Sequence, residues 1–476
     1  MLSRRHFLAS STALLTKSRR PNVLLIIADE WRVQATSWNG DTNVATPALD
    51  RFARESVSFD SAVSNLPVCC PARASMMTGQ YPLTHGVFIN DVELKPNGPT
   101  LGEAFRSAGY QTGYIGKWHL YGSPDGNYGR RLAPVPRDHH FGFDYWKACE
   151  CTHDYNHSLY YEGGDTSPKY WPGYDAFAQT DDAIAFIGSS IKRPDPFLLC
   201  LSLGPPHFPL QTAPPAFRDQ FHTREIQLRP NVPTARRDEA TDGLRGYYAH
   251  MAALDTCFAR LFRSLEESRI ADDTIVIFLS DHGDMMLSQG LTTKLHPWDE
   301  SISVPLLIRY PRRLGRKGSR LSTPFNMPDL MPTILSLAGL PVPDSVEGLD
   351  RLHHASAASL ILLPVPITEA RRYGFAEYRG LRTARHTYIR SIHGPWLLYD
   401  NLHDPYQMHN LVSNTRLRSE LDSQLEAELH RRHDDFLPAQ TYLNKAGLTH
   451  YKEVNEPVGH SSSPWGDWES TEKRTT

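Results

Sequence analysis

The sequence predicts an α/β fold organised around a mainly parallel sheet, with a smaller α+β subdomain in the C-terminal part of the chain. Segments typical of strands alternate with segments typical of helices through most of the 476 residues, which is the pattern of repeated strand–helix–strand units. The run Asn22–Ala28 (NVLLIIA) is almost continuously apolar, as expected for a strand that is buried on both faces. The chain is long enough for one large domain and a smaller one.

The predicted elements follow the first strand in alternating order. Thr46 and Pro47 indicate the start of a helix, with Thr46 as the N-cap and proline at the first helical position. Thr100 and Glu103 form a capping box before another helix. A later helix is predicted over Pro328–Ala338 and ends at Gly339. Further strands are predicted at Gln111–Ile115, Phe197–Leu203, Thr274–Leu279 and Pro305–Ile308.

A proline-rich stretch at Leu340–Asp344, followed by a variable region up to about Pro366, indicates a domain boundary. We therefore assign residues 21–365 to the main domain and residues 366–455 to the small α+β subdomain. The second part contains short alternating segments such as Gly380–Arg390, and a polar helix near Leu417–Asp434. Residues 456–476 are rich in Ser, Pro and Glu and are predicted to form a loose tail.

Residues 1–20 have the pattern of a twin-arginine export signal. Arg4 and Arg5 are followed by Phe7 and Leu8, which predicts a periplasmic or extracellular protein. The alternative is a basic, disordered arm on a cytoplasmic protein. No apolar run is long enough to span a bilayer.

Charge and cysteine content exclude several classes of protein. A net charge of -3 gives no overall field that favours nucleic acid or an anionic membrane, so local cations must hold any anionic substrate. The six cysteines are too few for a disulfide scaffold. Cys149 and Cys151 could pair or stay free.

Acidic residues follow two of the predicted strands directly. Asp29 and Glu30 come after the first strand, and Asp281 and His282 come after the strand at Thr274–Leu279. Open α/β sheets bind ligands at the carboxyl ends of their strands, and carboxylates suit a hard divalent cation. The pattern therefore predicts a metal site, with helix caps or turns as the alternative.

The segment Cys69-Cys70-Pro71-Ala72-Arg73 places a nucleophile beside a fixed cation. Pro71 is typical of a first helical turn, so Cys69 is predicted at a helix N-terminus, whose free N–H groups favour an anion. Arg73 lies one turn further on the same face. The alternative is a buried cysteine beside a surface arginine.

The run CCPARASMMTG resembles the sulfatase motif, C-x-P-S/A-R followed by T-G, with Ala72 in place of the commoner serine. Agreement extends from PNVLLIIADEW to LLYDNLHDPYQMHNL and covers nearly all of residues 20–412. The resemblance implies an alkaline-phosphatase-like α/β sandwich that hydrolyses sulfuric esters. It also implies that a formylglycine-generating or sulfatase-maturating enzyme oxidises Cys69 to formylglycine, whose hydrate is the nucleophile. The implied metal is Ca²⁺, with Mn²⁺ as the alternative.

The resemblance extends to the other site positions. Glu30 departs from the family pattern, because many sulfatases have Asp there and related phosphonate monoester hydrolases have Gln. The metal ligands implied by the resemblance are Asp29, Glu30, Cys69, Asp281 and His282. The catalytic residues it implies are Cys69, Arg73, Lys117, His119, His207 and Lys294.

Two other functions remain open from the sequence. A phosphonate or phosphate ester hydrolase of the same superfamily would share the site, and a glycan-binding homologue without a matured Cys69 would be inactive. The segment Phe141–Gly163 is rich in aromatic residues and histidines. We expect it to line the pocket of an enzyme that removes sulfate from carbohydrate, since aromatic rings stack on sugars. The alternative is a packed loop.

Overall fold

The computed structural model describes residues 20–456 of the chain. The predicted export signal and the predicted tail therefore lie outside the described residues, apart from Arg20 and Glu456. Within residues 20–456, no helix has both the length and the apolar character needed to cross a bilayer.

The strands are β1 Asn22–Asp29, β2 Val57–Phe59, β3 Ala62–Val63, β4 Gln111–Lys117, β5 Tyr145–Cys149, β6 Leu159–Glu162, β7 Lys169–Tyr170, β8 Phe197–Pro206, β9 Thr274–Ser280, β10 Leu306–Arg309, β11 Ser319–Leu321, β12 Phe325–Asn326, β13 Ala358–Leu363, β14 Tyr378–Thr383, β15 His386–Ser391 and β16 Gly394–Asp400. The helices are α1 Pro47–Arg54, α2 Cys69–Thr78, α3 Pro82–His85, α4 Leu101–Ser107, α5 Asp175–Ser190, α6 Pro215–Phe221, α7 Arg237–Glu267, α8 Asp299–Ile302, α9 Pro311–Leu314, α10 Leu330–Ala338, α11 Thr368–Arg372, α12 Thr415–Arg431, α13 Ala439–Ala446 and α14 Lys452–Asn455.

The large sheet has the strand order β11-β2-β10-β9-β1-β8-β4-β5-β6-β7. Its centre is parallel, since β9, β1, β8, β4 and β5 all run in the same direction. The strand β10 is antiparallel to both β9 and β2. The predicted α/β fold with a mainly parallel central sheet is confirmed.

The sheet is covered by helices on both faces, which explains the continuous apolar run of β1. Val23 and Leu25 pack into one hydrophobic core with side chains of α2 and α10. Leu24 and Ile26 point to the opposite core, which contains side chains of α5 and α7. Alternate residues of a strand face opposite sides, so a strand that is buried on both faces must be apolar throughout.

The helix boundaries follow from capping residues. Thr100 and Glu103 make both hydrogen bonds of the predicted capping box at the start of α4. The helix α10 ends at Gly339, whose φ of 70° lies in the left-handed region that glycine adopts without steric cost. The residues before α10, Met327–Asp329, form a separate 3₁₀ turn, so the α-helix begins later than predicted.

A second, antiparallel sheet of order β13-β14-β15-β16 forms the small C-terminal unit. It begins at Ala358, which is N-terminal to the predicted boundary at residue 365. The helix α12 packs on this sheet, and Leu421 and Leu425 join the core that also contains α2 and α10. The small unit therefore shares its apolar interior with the large one.

Candidate active site

The carboxyl ends of neighbouring strands bring the predicted acidic residues together. The strands β1 and β9 pair in parallel, with Ala28 opposite Ser280. Each of these two residues is followed by an aspartate, so Asp29 and Asp281 lie side by side at the edge of the sheet. The side chains of Asp29, Asp281 and His282 are all buried.

Cys69 reaches this edge from the first turn of α2. Its Sγ lies 3.3 Å from Nε2 of His282 and 3.8 Å from Oδ1 of Asp29. One donor atom from each of Asp29, Cys69, Asp281 and His282 lies within 4.8 Å of the others. The start of α2 has Val68 at the cap position, which offers no side-chain acceptor. Asn90 instead accepts the N–H of Cys70 at 3.1 Å.

The guanidinium of Arg73 lies underneath the acidic pair and is 1% exposed. Its Nε donates to Oδ2 of Asp281 at 3.0 Å, and Nη2 lies 3.4 Å from Oδ2 of Asp29. Nη1 donates to Oγ of Ser202 at 2.7 Å. A buried arginine that is bound on several sides is a fixed positive charge, so Arg73 holds the two aspartates in place.

Two lysines flank the sulfur of Cys69. Nζ of Lys117 lies 3.6 Å from Sγ and Nζ of Lys294 lies 3.5 Å from it. Burial opposes ionisation of Asp29, but Lys117 and Arg73 hold the pKa of this carboxyl well below its usual range. Burial likewise disfavours the charged form of Lys117, yet Asp29 raises its pKa well above the ordinary value. Asp29 and Lys117 therefore form an oppositely charged pair beside the sulfur of Cys69.

Glu30, His207 and Lys294 form a second group beside Cys69. Nζ of Lys294 donates to Nε2 of His207 at 2.8 Å, and the other ring nitrogen of His207 donates to the carbonyl of Phe208. Oε2 of Glu30 lies 3.2 Å from Nε2 of His207, and Oε1 lies 3.7 Å from Nζ of Lys294. Burial and the charge of Lys294 lower the pKa of His207 well below its usual value.

His119 lies on the far side of the cavity, after the end of β4. Its backbone has a φ of 58°, an uncommon conformation for a residue with a side chain. Neither ring nitrogen has a hydrogen-bond partner among residues 20–456, and the nearest acid is Asp91 at 3.9 Å. Burial and Lys117 lower the pKa of His119 well below its usual value, so the ring is neutral and can accept a proton.

The donor set fits a divalent cation. Two aspartate oxygens and one imidazole nitrogen converge on one point beside position 69, and hard cations prefer oxygen ligands. Both carboxylate oxygens of Glu30 are buried without a hydrogen-bond donor among the described residues. Such orphaned acceptors are costly unless a cation or ligand satisfies them. Glu30 lies outside the group of converging atoms, so its role as a direct ligand stays a prediction.

Two further residues of the site, Asn90 and Arg131, were not found from the sequence. They line the cavity above Cys69, which has a volume of about 180 Å³, together with Cys151 and His153. The last two belong to the segment at 141–163 that was expected to line the pocket, whereas Tyr145–Cys149 and Leu159–Glu162 of the same segment form sheet strands. All six cysteines are free, so Cys149 and Cys151 do not pair.

Comparison with known proteins identifies the family. The Sulfatase family model matches residues 21–340. The chain is 38% identical over 465 residues to an ulvan-active sulfatase of Formosa agariphila, covering 94% of this chain and 89% of that protein. It is 28% identical to an endo-4-O-sulfatase of Bacteroides thetaiotaomicron, covering 83% of this chain and 88% of that protein.

Solved structures share the fold. A Bacteroides fragilis protein assigned as a sulfatase superposes with a TM-score of 0.80 at 29% identity, covering 90% of this chain and 98% of that one. A phosphonate monoester hydrolase of Agrobacterium radiobacter gives a TM-score of 0.68 at 24% identity, covering 87% and 96%, which shows the fold alone. The resemblance carried by CCPARASMMTG is confirmed: this chain belongs to the sulfatase family and is a sulfuric-ester hydrolase.

Proposed function

We propose that this sulfatase removes sulfate from a carbohydrate, using formylglycine derived from Cys69 and one divalent cation, calcium. The observation that carries the proposal is the position of Cys69. Cys69 is the first residue of α2, and its sulfur faces two aspartates, a histidine and two lysines. Formylglycine at this position would supply a hydrated aldehyde as the nucleophile, and a cation held by Asp29, Asp281 and His282 would supply positive charge to the sulfuryl oxygens.

The protein's own cations bind the sulfate. Lys117 and Lys294 lie on either side of Cys69, where their ammonium groups can donate to sulfuryl oxygens. Arg73 adds a buried positive charge below the site. Fixed charges in a buried site stabilise developing negative charge without reorganisation, so these residues favour attack on the bound ester.

Proton transfer falls to the two histidines. His207 lies within hydrogen-bond distance of Lys294, and we assign the pair to protonating the departing alcohol. The neutral His119 ring lines the same cavity and is placed to remove a proton from the group at position 69. General acid and base groups of this kind accelerate reactions by about 10²–10⁴-fold.

Carbohydrate is the substrate class that the relatives support. The ulvan-active sulfatase is named for activity on ulvan, and the endo-4-O-sulfatase is named for the O-4 position of the sulfate that it removes. In this chain, His153 and Phe208 give the cavity two ring-bearing walls, and such rings pack against sugars.

The first test is the chemical identity of position 69. Chain produced together with a maturation enzyme should carry an aldehyde at Cys69 and a thiol at Cys70, because only Cys69 has the motif spacing to Pro71 and Arg73. The fold is consistent with this choice, since Sγ of Cys69 faces the site. Sγ of Cys70 accepts the N–H of Asp91 instead. Peptide mass spectrometry measures the modification at both positions.

Substitution of the two cysteines gives a second measurement. Cys69→Ser should abolish multiple turnover of an aryl sulfate, whereas Cys70→Ser should keep the aldehyde. An aldehyde at Cys70, or full turnover by Cys69→Ser, would contradict the proposal.

The second test is the metal. Asp281→Ala should lose both the bound ion and activity, since it removes a converging carboxylate and a partner of Arg73. Elemental analysis of purified protein measures the ion, and Asp138→Ala, at an exposed carboxylate, is the matched control. Active enzyme without a divalent ion would overturn the metal assignment. Manganese, together with faster turnover of aryl phosphonate than of aryl sulfate, would contradict the choice of calcium and of sulfate.

We also propose that the chain is exported. The support is the pair Arg4 and Arg5 ahead of Phe7 and Leu8, a pattern of twin-arginine signals. Replacement of both arginines by lysine should leave the protein in the cytoplasmic fraction. Export of the double variant would count against this assignment.

A further inference from the structure

The cavity above Cys69 has cations at its floor and carboxylates at its entrance. Lys117 and Lys294 at the floor are each 3% exposed. Glu369, Glu453 and Glu456 line the same cavity, and Glu369 and Glu456 are partly exposed to solvent. We call these three glutamates the acidic rim. The sulfate is drawn to the floor by charge, so the alcohol part of the substrate must lie beside the rim.

Glu453 is the member of the rim that is buried. Its residue is 6% exposed, and Oε2 has no hydrogen-bond partner among residues 20–456. Oε1 lies 3.7 Å from Nη2 of Arg131. That guanidinium already binds both oxygens of Asp91, at 3.0 and 2.6 Å. Burial and the neighbouring Asp91 raise the pKa of Glu453 well above its usual value, although Arg131 opposes this shift. Oε2 of Glu453 therefore remains a buried polar atom of the cavity lining that a substrate hydroxyl can satisfy.

The rim is built into the fold. Thr368 of α11 donates its hydroxyl to the carbonyl of Glu453 in α14 at 3.0 Å. Arg371 of α11 donates to the carbonyls of Val454 and Glu456. The N–H of Lys452 donates to the carbonyl of Gly126 at 2.9 Å. These bonds fix α14 against α11, so the carboxyl groups hold their positions before a substrate arrives.

Among the described residues, neither Glu369 nor Glu456 forms a buried ion pair. Glu456 pairs with Lys452 at 2.9 Å, but both side chains are more than one third exposed, where solvent screens the pair. Glu369 forms no ion pair within residues 20–456. The entrance therefore presents acceptors and negative charge to whatever surrounds the sulfate-bearing carbon.

We propose that the acidic rim selects the sugar, with Glu453 as its main specificity-determining residue. Glu453 hydrogen-bonds a free hydroxyl group next to the sulfate, and the partly exposed carboxylates of Glu369 and Glu456 repel a second sulfate or carboxylate at that position. Carboxylates accept strong hydrogen bonds from hydroxyl donors, whereas like charges placed together exclude the wrong partner. The substrate is thus a sugar with a single sulfate flanked by free hydroxyls. This inference rests on the proposed carbohydrate sulfatase function.

The test is a binding comparison in the full chain with Cys69→Ala and saturating calcium, so that no turnover occurs. Calorimetry measures the Kd of methyl glucosides that carry one sulfate at each ring position. It also measures their counterparts with a second sulfate on the adjacent carbon. The best monosulfate should bind at least about tenfold more tightly than its disulfate. Adding Glu453→Ala removes the hydrogen bond to the free hydroxyl and should narrow this difference in Kd to about threefold or less. Glu420→Ala, at an exposed carboxylate on α12, should leave the difference in Kd unchanged.

Three results would overturn the proposal: no binding of any monosulfate, equal or tighter binding of the disulfate, or an unchanged difference in Kd with Glu453→Ala. If circular dichroism shows that Glu453→Ala does not fold, Glu369→Gln, which removes a charge of the rim, is measured in its place, and the same narrowing is required. Turnover of an aryl sulfate by the matured chain with Cys69 intact is measured separately. Loss of that turnover counts against the proposed function, and the difference in Kd counts for or against the rim.

Discussion

His207 is held by one hydrogen bond on each side of its ring, to Lys294 and to the carbonyl of Phe208. Sugar alcohols are much more basic than a nitrophenolate, so they need a proton as they leave. His207→Ala should therefore slow hydrolysis of a sugar sulfate more than that of nitrophenyl sulfate, by on the order of 10²-fold. The ratio of the two kcat/KM values measures this difference.

A purely structural role for His207 predicts another result. Misplacement of the loop would slow both substrates equally, because it does not depend on the pKa of the leaving group. Equal losses would move the acid role to Lys294. His157→Ala, at an exposed histidine outside the cavity, should leave both rates within about twofold.

The sequence could predict those site residues that follow a strand or belong to a continuous motif. Asp29 and Asp281 follow apolar strands, and the parallel pairing of β1 and β9 then makes them meet. Asp91 and Arg131 lie in irregular segments 40 positions apart, so no local pattern joins them. Glu453 reaches the cavity from the far end of the chain. Contacts of this kind depend on the tertiary fold, which periodicity does not encode.

At the level of elements, the start of α1 differs from the sequence prediction. Thr46 stands at the cap position but makes no capping hydrogen bond. Its hydroxyl bonds Ser37 and Asp50 instead. Asp255 of α7 accepts the N–H groups of Ala48 and Leu49, both at 3.0 Å. A distant side chain has replaced the local cap, because α1 packs against α7.

This replacement gives a prediction about stability. Asp255→Ala leaves two helical N–H groups without an acceptor, and should lower the free energy of unfolding by about 2 kcal/mol. Thr46→Ala should cost less, at about 0.5–1 kcal/mol. Urea denaturation of both variants measures the two changes. A larger loss for Thr46→Ala than for Asp255→Ala would restore Thr46 as the true cap.

The direction of β10 in the sheet could not be predicted from the sequence either. The run at Leu306–Arg309 has the same apolar character as the central strands, and its existence was predicted correctly. It runs antiparallel to β9. Parallel and antiparallel strands share the same period of two residues, so direction depends on how the connection returns to the sheet.

At the scale of the whole molecule, buried titratable groups have opposite effects on the stability of the fold as the pH falls. Burial raises the pKa of Asp175 to about 7 and lowers the pKa of His296 to about 4. A raised carboxyl pKa stabilises the folded state at low pH, and this stabilisation is lost as the pH rises through about 7. A lowered histidine pKa stabilises it above about pH 6.5, and this is lost as the pH falls toward about 4.

Substitution of Asp175 and substitution of His296 should therefore change the pH dependence of the free energy of unfolding in opposite directions. Between about pH 7 and pH 5, Asp175→Asn should lose stability relative to the unsubstituted chain by on the order of 1–2 kcal/mol. His296→Gln should gain a similar amount relative to it over the same interval. The melting temperature of each variant, measured against the unsubstituted chain with calcium present throughout, reports the two slopes.

The sign of each slope is what identifies its cause. In the folded state Asp175 binds a proton that the unfolded chain releases in this interval, so removing it takes away a stabilising contribution that grows with acidity. His296 behaves in the reverse sense, because only the unfolded chain takes up its proton. Both substitutions also remove packing contacts, but those losses do not depend on pH and shift the whole curve. Parallel curves for the two variants would mean that neither buried group changes its protonation on folding.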